Sequence, residues 1–352
     1  MEYDLACTGC GEVYRRRYPS QVCGRCNGIL EVRYNAAGKA GHALASFWDY
    51  ENVLPKGGYK HYEVGMTRII RSHGNANLFF KLETDNPTRS FKDRGSVIEV
   101  AKAKEYGYDE LVCASTGNMA YSIAYYSKLY GMRVKVFISG NANIDKMRDI
   151  RGVGDADITK VRGDFSAAQE RASEYAKRRN VFLSGDYCYR KEGQSTVAYE
   201  IMAQARNATH IIVPVGNATL ISGILKGLGR MEESGELRTM PKVIAVQSTG
   251  CMPFVRAFKK GRKIKYEEPK TDADAIAVGM PTFGEQAILG LKEHGGCAVA
   301  VSDREMKKAQ ESFYRDYGIV AEMGGAASIA AARQLKFKED DVAVAVVSGG
   351  NV

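Results

Sequence analysis

Apolar residues in this chain fall into short continuous runs, separated by longer stretches in which they recur every three or four positions. The runs at 78–83, 110–114, 133–138, 157–161, 211–215, 242–247 and 342–347 predict strands. Those at 211–215 and 342–347 are apolar almost throughout, as expected of strands buried on both faces of a parallel sheet. The stretches at 95–106, 119–130, 166–178 and 220–231 predict helices. Strand and helix alternate, which means βαβ units: an α/β protein with open, mostly parallel sheets covered by helices. No apolar run approaches the about 20 residues that a membrane-spanning helix needs.

Composition adds size and setting. With 352 residues, 45% hydrophobic and 26% charged, the chain has the make-up of a globular protein and the length for more than one domain. Residues 35–41 are small and read as a linker, after which Phe47-Trp48-Asp49-Tyr50 is expected to pack the next element. The start, Met1-Glu2-Tyr3-Asp4, is acidic and unlike a signal peptide, so the expected location is cytoplasmic. A net charge of +9 opens the question of anionic partners. The basic runs at 15–17, 177–179 and 259–265 are scattered, however, and read as solvated faces rather than one stripe.

The cysteines divide into two groups. Cys7, Cys10, Cys23 and Cys26 form C-x2-C-x12-C-x2-C, whereas Cys113, Cys188, Cys251 and Cys297 are isolated. Two thiol pairs on separate turns can close a tetrahedron around Zn²⁺, with Gly9, Gly11, Gly24 and Gly28 giving the tight backbone such turns need. A disulfide pair is the competing reading and lacks any sign of an oxidising compartment. Four cysteines leave no open coordination position, so the metal would be structural.

The candidate chemistry lies in loops that follow strands. Asn86-Pro87-Thr88-Arg89-Ser90-Phe91-Lys92-Asp93-Arg94-Gly95 sets Lys92 in a loop at the mouth of a predicted helix, where a helix N-terminus disfavours a second cation and leaves the amine more nucleophilic. Ser115-Thr116-Gly117-Asn118 offers hydroxyls, an amide and backbone N–H groups. Gly216-Asn217-Ala218-Thr219 follows a buried strand and opens a helix, a place for phosphate. Ser348-Gly349-Gly350-Asn351 follows the last strand. An amine for an aldehyde, an amide-rich loop for a phosphate and hydroxyls for a ring are what pyridoxal 5'-phosphate requires. There is no G-x-G-x-x-G with a downstream acid and no Walker lysine motif.

With these motifs the chain resembles the fold-type-II pyridoxal-phosphate enzymes, and most of all the threonine synthase family, over nearly its whole length. The resemblance implies a tryptophan synthase β-like architecture. Residues 35–95 and 185–352 would form the large cofactor-binding domain, 96–184 a small α/β domain, and 1–34 a zinc-ribbon-like segment. It implies a Schiff base on Lys92, Asn118 at the cofactor's phenolic oxygen, Gly216, Asn217, Ala218, Thr219 and Leu220 at its phosphate, and Ser348 at its ring nitrogen. Ser115, Thr116 and Arg190, the last in Tyr189-Arg190-Lys191-Glu192-Gly193-Gln194, would serve a small anionic amino-acid substrate. The implied reaction converts O-phosphohomoserine and water to threonine and phosphate in a homodimer.

This sequence departs from the family's pattern at several places. Arg89 stands where glycine is usual, Met119 where threonine is, and Gly185 and Tyr187 where serine and asparagine are common. Thr219 and Leu220 replace glycine and asparagine, and Glu322-Met323-Gly324-Gly325-Ala326 replaces Glu-Pro-Ala-Ser-Ala. Three of these changes remove polar side chains near the expected substrate phosphate, and the Arg89 guanidinium is a candidate to compensate. A serine/threonine dehydratase or another β-elimination or β-replacement enzyme is the alternative. A zinc-ribbon nucleic-acid-binding protein is the remote one, disfavoured because the ribbon is read as lacking an aromatic stacking platform.

Overall fold

The computed structural model describes residues 1–36, 38–39, 45–115, 117–140, 150, 152–153, 156–163 and 165–351. In chain order the strands are β1 (Tyr3–Cys7), β2 (Val13–Arg15), β3 (Leu30–Tyr34), β4 (Ile69–Arg71), β5 (Leu78–Leu82), β6 (Glu110–Ala114), β7 (Arg133–Ser139), β8 (Ala156–Val161), β9 (Phe182–Leu183), β10 (His210–Pro214), β11 (Lys242–Ser248), β12 (Cys297–Val301) and β13 (Ala343–Val347). The helices are α1 (Lys92–Glu105), α2 (Asn118–Leu129), α3 (Phe165–Arg179), α4 (Cys188–Gln204), α5 (Thr219–Glu233), α6 (Pro253–Lys260), α7 (Gly284–Glu293), α8 (Asp303–Tyr317) and α9 (Met323–Gln334). They divide into two compact units.

The first unit comprises Met1–Gly38, Tyr50–Val64 and Lys92–Gly193. Its parallel sheet has the order β8-β7-β6-β9. Ala168, Ala172 and Ala176 recur every four residues along α3 and pack with Val112, Ala114 and Phe137, small side chains letting the helix lie close to the strands. Helix α1 is buried from Asp93 to Ala103, charged residues included, so its interior polar groups must find partners.

A three-stranded antiparallel sheet of order β2-β1-β3 carries the four cysteines and belongs to this same unit. Its docking is polar. Gln21 donates to Glu99 of α1 at 2.7 Å, Tyr34 donates to Glu192 of α4 at 2.5 Å, Glu31 pairs with Lys191, and Tyr106 donates to the Arg16 carbonyl at 2.6 Å. One expectation is corrected here: the ribbon does contain an aromatic pair. The rings of Tyr14 and Tyr18 stack at 4.0 Å and 22°, and the Tyr14 hydroxyl lies 3.2 Å from Cys23 Sγ.

The second unit comprises Lys39–Asp49, Gly65–Phe91 and Gln194–Val352. Its six-stranded sheet has the order β12-β11-β10-β13-β5-β4, parallel except for the edge strand β4. β13 is buried along its whole length, as its apolar run predicts. The alanine-rich α9 lies on it, and Ser328 Oγ donates to the Val346 carbonyl at 2.7 Å. Because β5, β10, β11 and β13 run parallel, the chain leaving each of them emerges from one edge of the sheet, where open α/β sheets bind ligands. Lys81, fully buried in β5, bonds Glu200 at 2.7 Å and Gln204 at 2.8 Å, so its charge is neutralised.

The units differ from the domain bounds read from the sequence, and Tyr50–Val64, expected in the large domain, clusters with the first unit. The chain passes between units at Lys92 and at Gly193, against the expected 95/96 and 184/185, and the cysteine segment clusters with the first unit rather than standing alone. The early crossing has a local cause: α1 begins at Lys92, three residues before the predicted start, because Lys92 and Asp93 already have helical geometry. The linker read at 35–41 falls partly outside the described residues, at 37 and 40–41.

Candidate active site

Lys92 is the first residue of α1. The residue before it, Phe91, donates its N–H to the Ser348 carbonyl at 3.0 Å, and Ser90 forms an antiparallel bridge with Gly349. Gly350 N donates to the Arg89 carbonyl at 2.9 Å, and Asn351 Nδ2 to the Thr88 carbonyl at 2.8 Å. The loop at 86–91 is therefore zipped to the loop after β13, and Ser348, itself buried, is fixed within the second unit. Gly325 permits a close approach here, since a Cβ on it would lie 2.8 Å from the Gly349 carbonyl oxygen. That contact accounts for Gly325 in place of the bulkier serine of the family pattern.

Arg89 has φ 58°, in the left-handed region, which explains why glycine is usual there. The arginine carries a backbone cost of about 1 kcal/mol that glycine avoids. Its side chain is exposed.

Beyond β10, Gly216 tolerates no side chain, because a Cβ would lie 2.8 Å from the Ala275 carbonyl oxygen. Asn217 Oδ1 accepts from Thr282 Oγ1 at 3.2 Å, and its carbonyl accepts from Phe283 N at 3.0 Å, which pins the loop. Ala218 turns the chain with φ 62° into α5, whose N-terminus has no side-chain cap. Thr219 Oγ1 is buried and has no hydrogen-bond partner among the described residues. A glycine cradle, an uncapped helix N-terminus and an orphaned buried hydroxyl together suit a phosphate group. Leu220 is buried, so what it offers a ligand is its backbone N–H. Thr219→Val should leave the stability of the cofactor-free protein nearly unchanged while weakening pyridoxal phosphate binding about ten-fold, measurable by fluorescence titration.

In the first unit, Lys92 Nζ lies 3.4 Å from Asp186 Oδ1, an anion beside the amine that the sequence reading did not contain. Ser115 follows β6 and is buried, its Oγ accepting from Gly117 N at 3.4 Å, and Asn118 opens α2. Met119 is buried in the first turn of that helix. Thr116 lies outside the described residues.

Arg190 is fully buried. Nε donates to the Gly185 carbonyl at 3.0 Å, one terminal nitrogen to the Lys92 carbonyl at 3.3 Å and Ser96 Oγ at 3.0 Å, and the other to Glu99 Oε2 at 2.5 Å. This guanidinium fixes the first turn of α1. Gly185 N donates to Glu99 at 3.1 Å, and a Cβ on Gly185 would lie 2.9 Å from the Tyr187 ring. Burial, with the Glu99 and Asp186 charges, pushes the Tyr187 phenol up to about 12, so it stays neutral.

The sulfur atoms of Cys7, Cys10, Cys23 and Cys26 all lie within 4.8 Å of one another. Cys7 and Cys26 are 3.4 Å apart and Cys10 and Cys23 are 3.7 Å apart, too long for disulfides and close to the about 3.8 Å tetrahedron edge implied by Zn–S bonds of about 2.3 Å. N–H groups of Cys10 and Gly9 point at Cys7 Sγ and hold that thiol below its usual range. Burial raises the Cys23 thiol, but the Tyr14 hydroxyl and the N–H groups of Cys26 and Arg25 outweigh it and bring it down to about 6.

Comparison with known proteins accords with this geometry. The signature described as pyridoxal-phosphate dependent enzyme matches residues 61–349. Threonine synthase of Methanosarcina acetivorans is 32% identical over 99% of this chain and 91% of its own length, and that of Methanocaldococcus jannaschii is 34% identical over 94% and 86%. Maize serine racemase superposes with a TM-score of 0.72 at 23% identity, covering 81% of this chain and 88% of its own, a likeness of fold. The strand edge, the lysine at a helix start and the phosphate cradle thus accompany a match over most of the sequence, and the chain belongs to the pyridoxal-phosphate-dependent enzymes and, among them, to the threonine synthase family.

Proposed function

We propose that this enzyme converts O-phosphohomoserine and water to threonine and phosphate. The observation that carries the reading is the similarity to a threonine synthase over 99% of the chain, the cysteine segment included. Pyridoxal phosphate, when bound, supplies the electron sink that stabilises a carbanion next to the substrate amine. Lys92 holds the cofactor and then moves protons at the substrate's α and β carbons. The N–H groups of Gly216 to Leu220, with the Thr219 hydroxyl, hold the cofactor's phosphate. Ser348 presents a neutral hydroxyl to its ring nitrogen and Asn118 an amide to its phenolic oxygen. Ser115 and Thr116 bind the substrate carboxylate, and Arg89 offers a fork to its phosphate. For Arg190 the reading is a positioning role, because its donors are engaged by Glu99, Ser96, Gly185 and the Lys92 carbonyl. The test is product analysis: phosphate and threonine released from O-phosphohomoserine support the assignment, and ammonia released from threonine or serine instead would make the enzyme a dehydratase.

The four-cysteine cluster is proposed to hold structural Zn²⁺, its support being the sulfur spacing and the N–H groups aimed at Cys7 and Cys23. The ion would brace the ribbon that Gln21, Glu31 and Tyr34 dock on α1 and α4. Cys10→Ser should remove about one metal ion per chain and lower the melting temperature by several degrees, checked by metal analysis and calorimetry. A cytoplasmic homodimer completes the reading, its assembly state to be measured by light scattering.

A further inference from the structure

The basic run at 259–265 has no part in the proposed chemistry, yet its residues line a cavity of about 580 Å³ in the second unit. Arg256, Lys260, Arg262, Lys263, Lys265 and Lys270 face it, against the two carboxylates of Glu267 and Glu268. Arg256 is spent on Glu267, at 2.9 Å. Among the described residues the other five cations have no ion-pair partner.

Lys260 ends α6, and the wall that carries the other four, residues 262–270, has neither helix nor strand but is fastened at several points. Lys270 N donates to the Gly250 carbonyl at 2.8 Å, Glu267 N to the Gly279 carbonyl at 3.1 Å, and Ile264 N to Glu285 at 2.7 Å. Gly250 and Gly279 must be glycine, since a Cβ on either would collide with the carbonyl of Lys270 or Glu267. The cations therefore ring the concavity on a fixed backbone rather than on a free loop. Tyr266 stands among them 66% exposed, a large ring turned to solvent beside the charges. The cavity lies beyond the end of β11, at Thr249 and Gly250, and contains none of the residues proposed to hold the cofactor.

We propose that this cavity is a second anion site, for a small molecule bearing two or more adjacent phosphate groups. Five unpaired cations repel one another, and a ligand of charge −3 or −4 relieves that repulsion, which a single carboxylate or monoester does only in part. The volume suits a small metabolite and is far too small to enclose a folded partner. The strap continues past Lys270 into Ala275, whose carbonyl backs Gly216, so occupancy is placed to stiffen the phosphate loop.

Calorimetric titration of the holoenzyme with inorganic pyrophosphate and with ATP tests the site. Binding at low salt is expected to weaken as salt is added, and to weaken at least about ten-fold in the Lys263→Glu, Lys265→Glu double variant while turnover without the anion is unchanged. Tighter binding of ATP than of pyrophosphate assigns the Tyr266 ring to a base, and equal binding leaves the ring idle; both keep the site. The proposal is overturned if neither probe binds, or if the double variant binds them as tightly as the parent.

Discussion

Lys92→Ala is expected to abolish the visible absorbance of a lysine-bound cofactor and to lower turnover by at least about 10³-fold, because in the proposed function one amine both anchors the cofactor and carries the protons. The variant should still fold. Alanine favours the first turn of a helix, and the contact that Arg190 makes here is to the Lys92 carbonyl, which the substitution keeps. The loss includes the ion pair with Asp186, at 3.4 Å and partly open to solvent. The urea midpoint should therefore hardly move, and borohydride reduction of the parent followed by peptide mapping should find the label on Lys92 alone. A parent protein that stays colourless with added pyridoxal phosphate would sink the assignment.

Glu99→Gln should produce the largest loss of stability, about 3–5 kcal/mol. The Glu99 carboxylate accepts four bonds, from Gln21 at 2.7 Å, Gly185 N at 3.1 Å, Ser184 Oγ at 2.6 Å and Arg190 at 2.5 Å, and neither it nor Arg190 has any exposure. Glutamine offers one oxygen and aims its NH₂ at the other donors, leaving a buried guanidinium without its counter-charge. Chemical denaturation of the holoenzyme checks the magnitude. Because Gln21 belongs to the ribbon and Arg190 also binds the Lys92 carbonyl, the same substitution should lower kcat more than it raises KM. A stability loss with unchanged kcat would confine the network to a structural role.

The parallel strands were legible because buried strands are written as continuous apolar runs. β6 has the predicted bounds, β7, β8, β11 and β13 differ by one residue at an end, and β10 is shifted by one residue at both ends. Helix α4 was not legible, since its buried face is written in charged letters. Arg190, Lys191, Glu192 and Glu200 are all buried, and only their partners, far away in sequence, make that burial affordable. The half-buried edge strand β12 was missed although Cys297–Val301 is a continuous apolar run, because five apolar residues are too few to separate a strand from a helix segment. In the candidate site, the lysine and the loops could be read from spacing. Asp186 beside Lys92 could not, because 94 residues separate them. The ribbon showed its four cysteines by spacing, whereas its dock on α1 and α4 depends on Gln21, Glu31 and Tyr34, residues of no special pattern.

Where α1 meets α4, the contact is backbone against backbone. A Cβ on Gly95 would collide with Arg190, and one on Gly193 with the Arg94 carbonyl. Helices usually register on each other through interlocking side chains, and this crossing has two glycines, Gly95 and Gly193, that contribute none. It resembles a plain bearing, in which the shaft can turn or slide until a key stops it. The Arg190 guanidinium, gripping Ser96, Glu99 and the Lys92 carbonyl, is that key, so the angle at which the lysine is presented is set by charge rather than by shape.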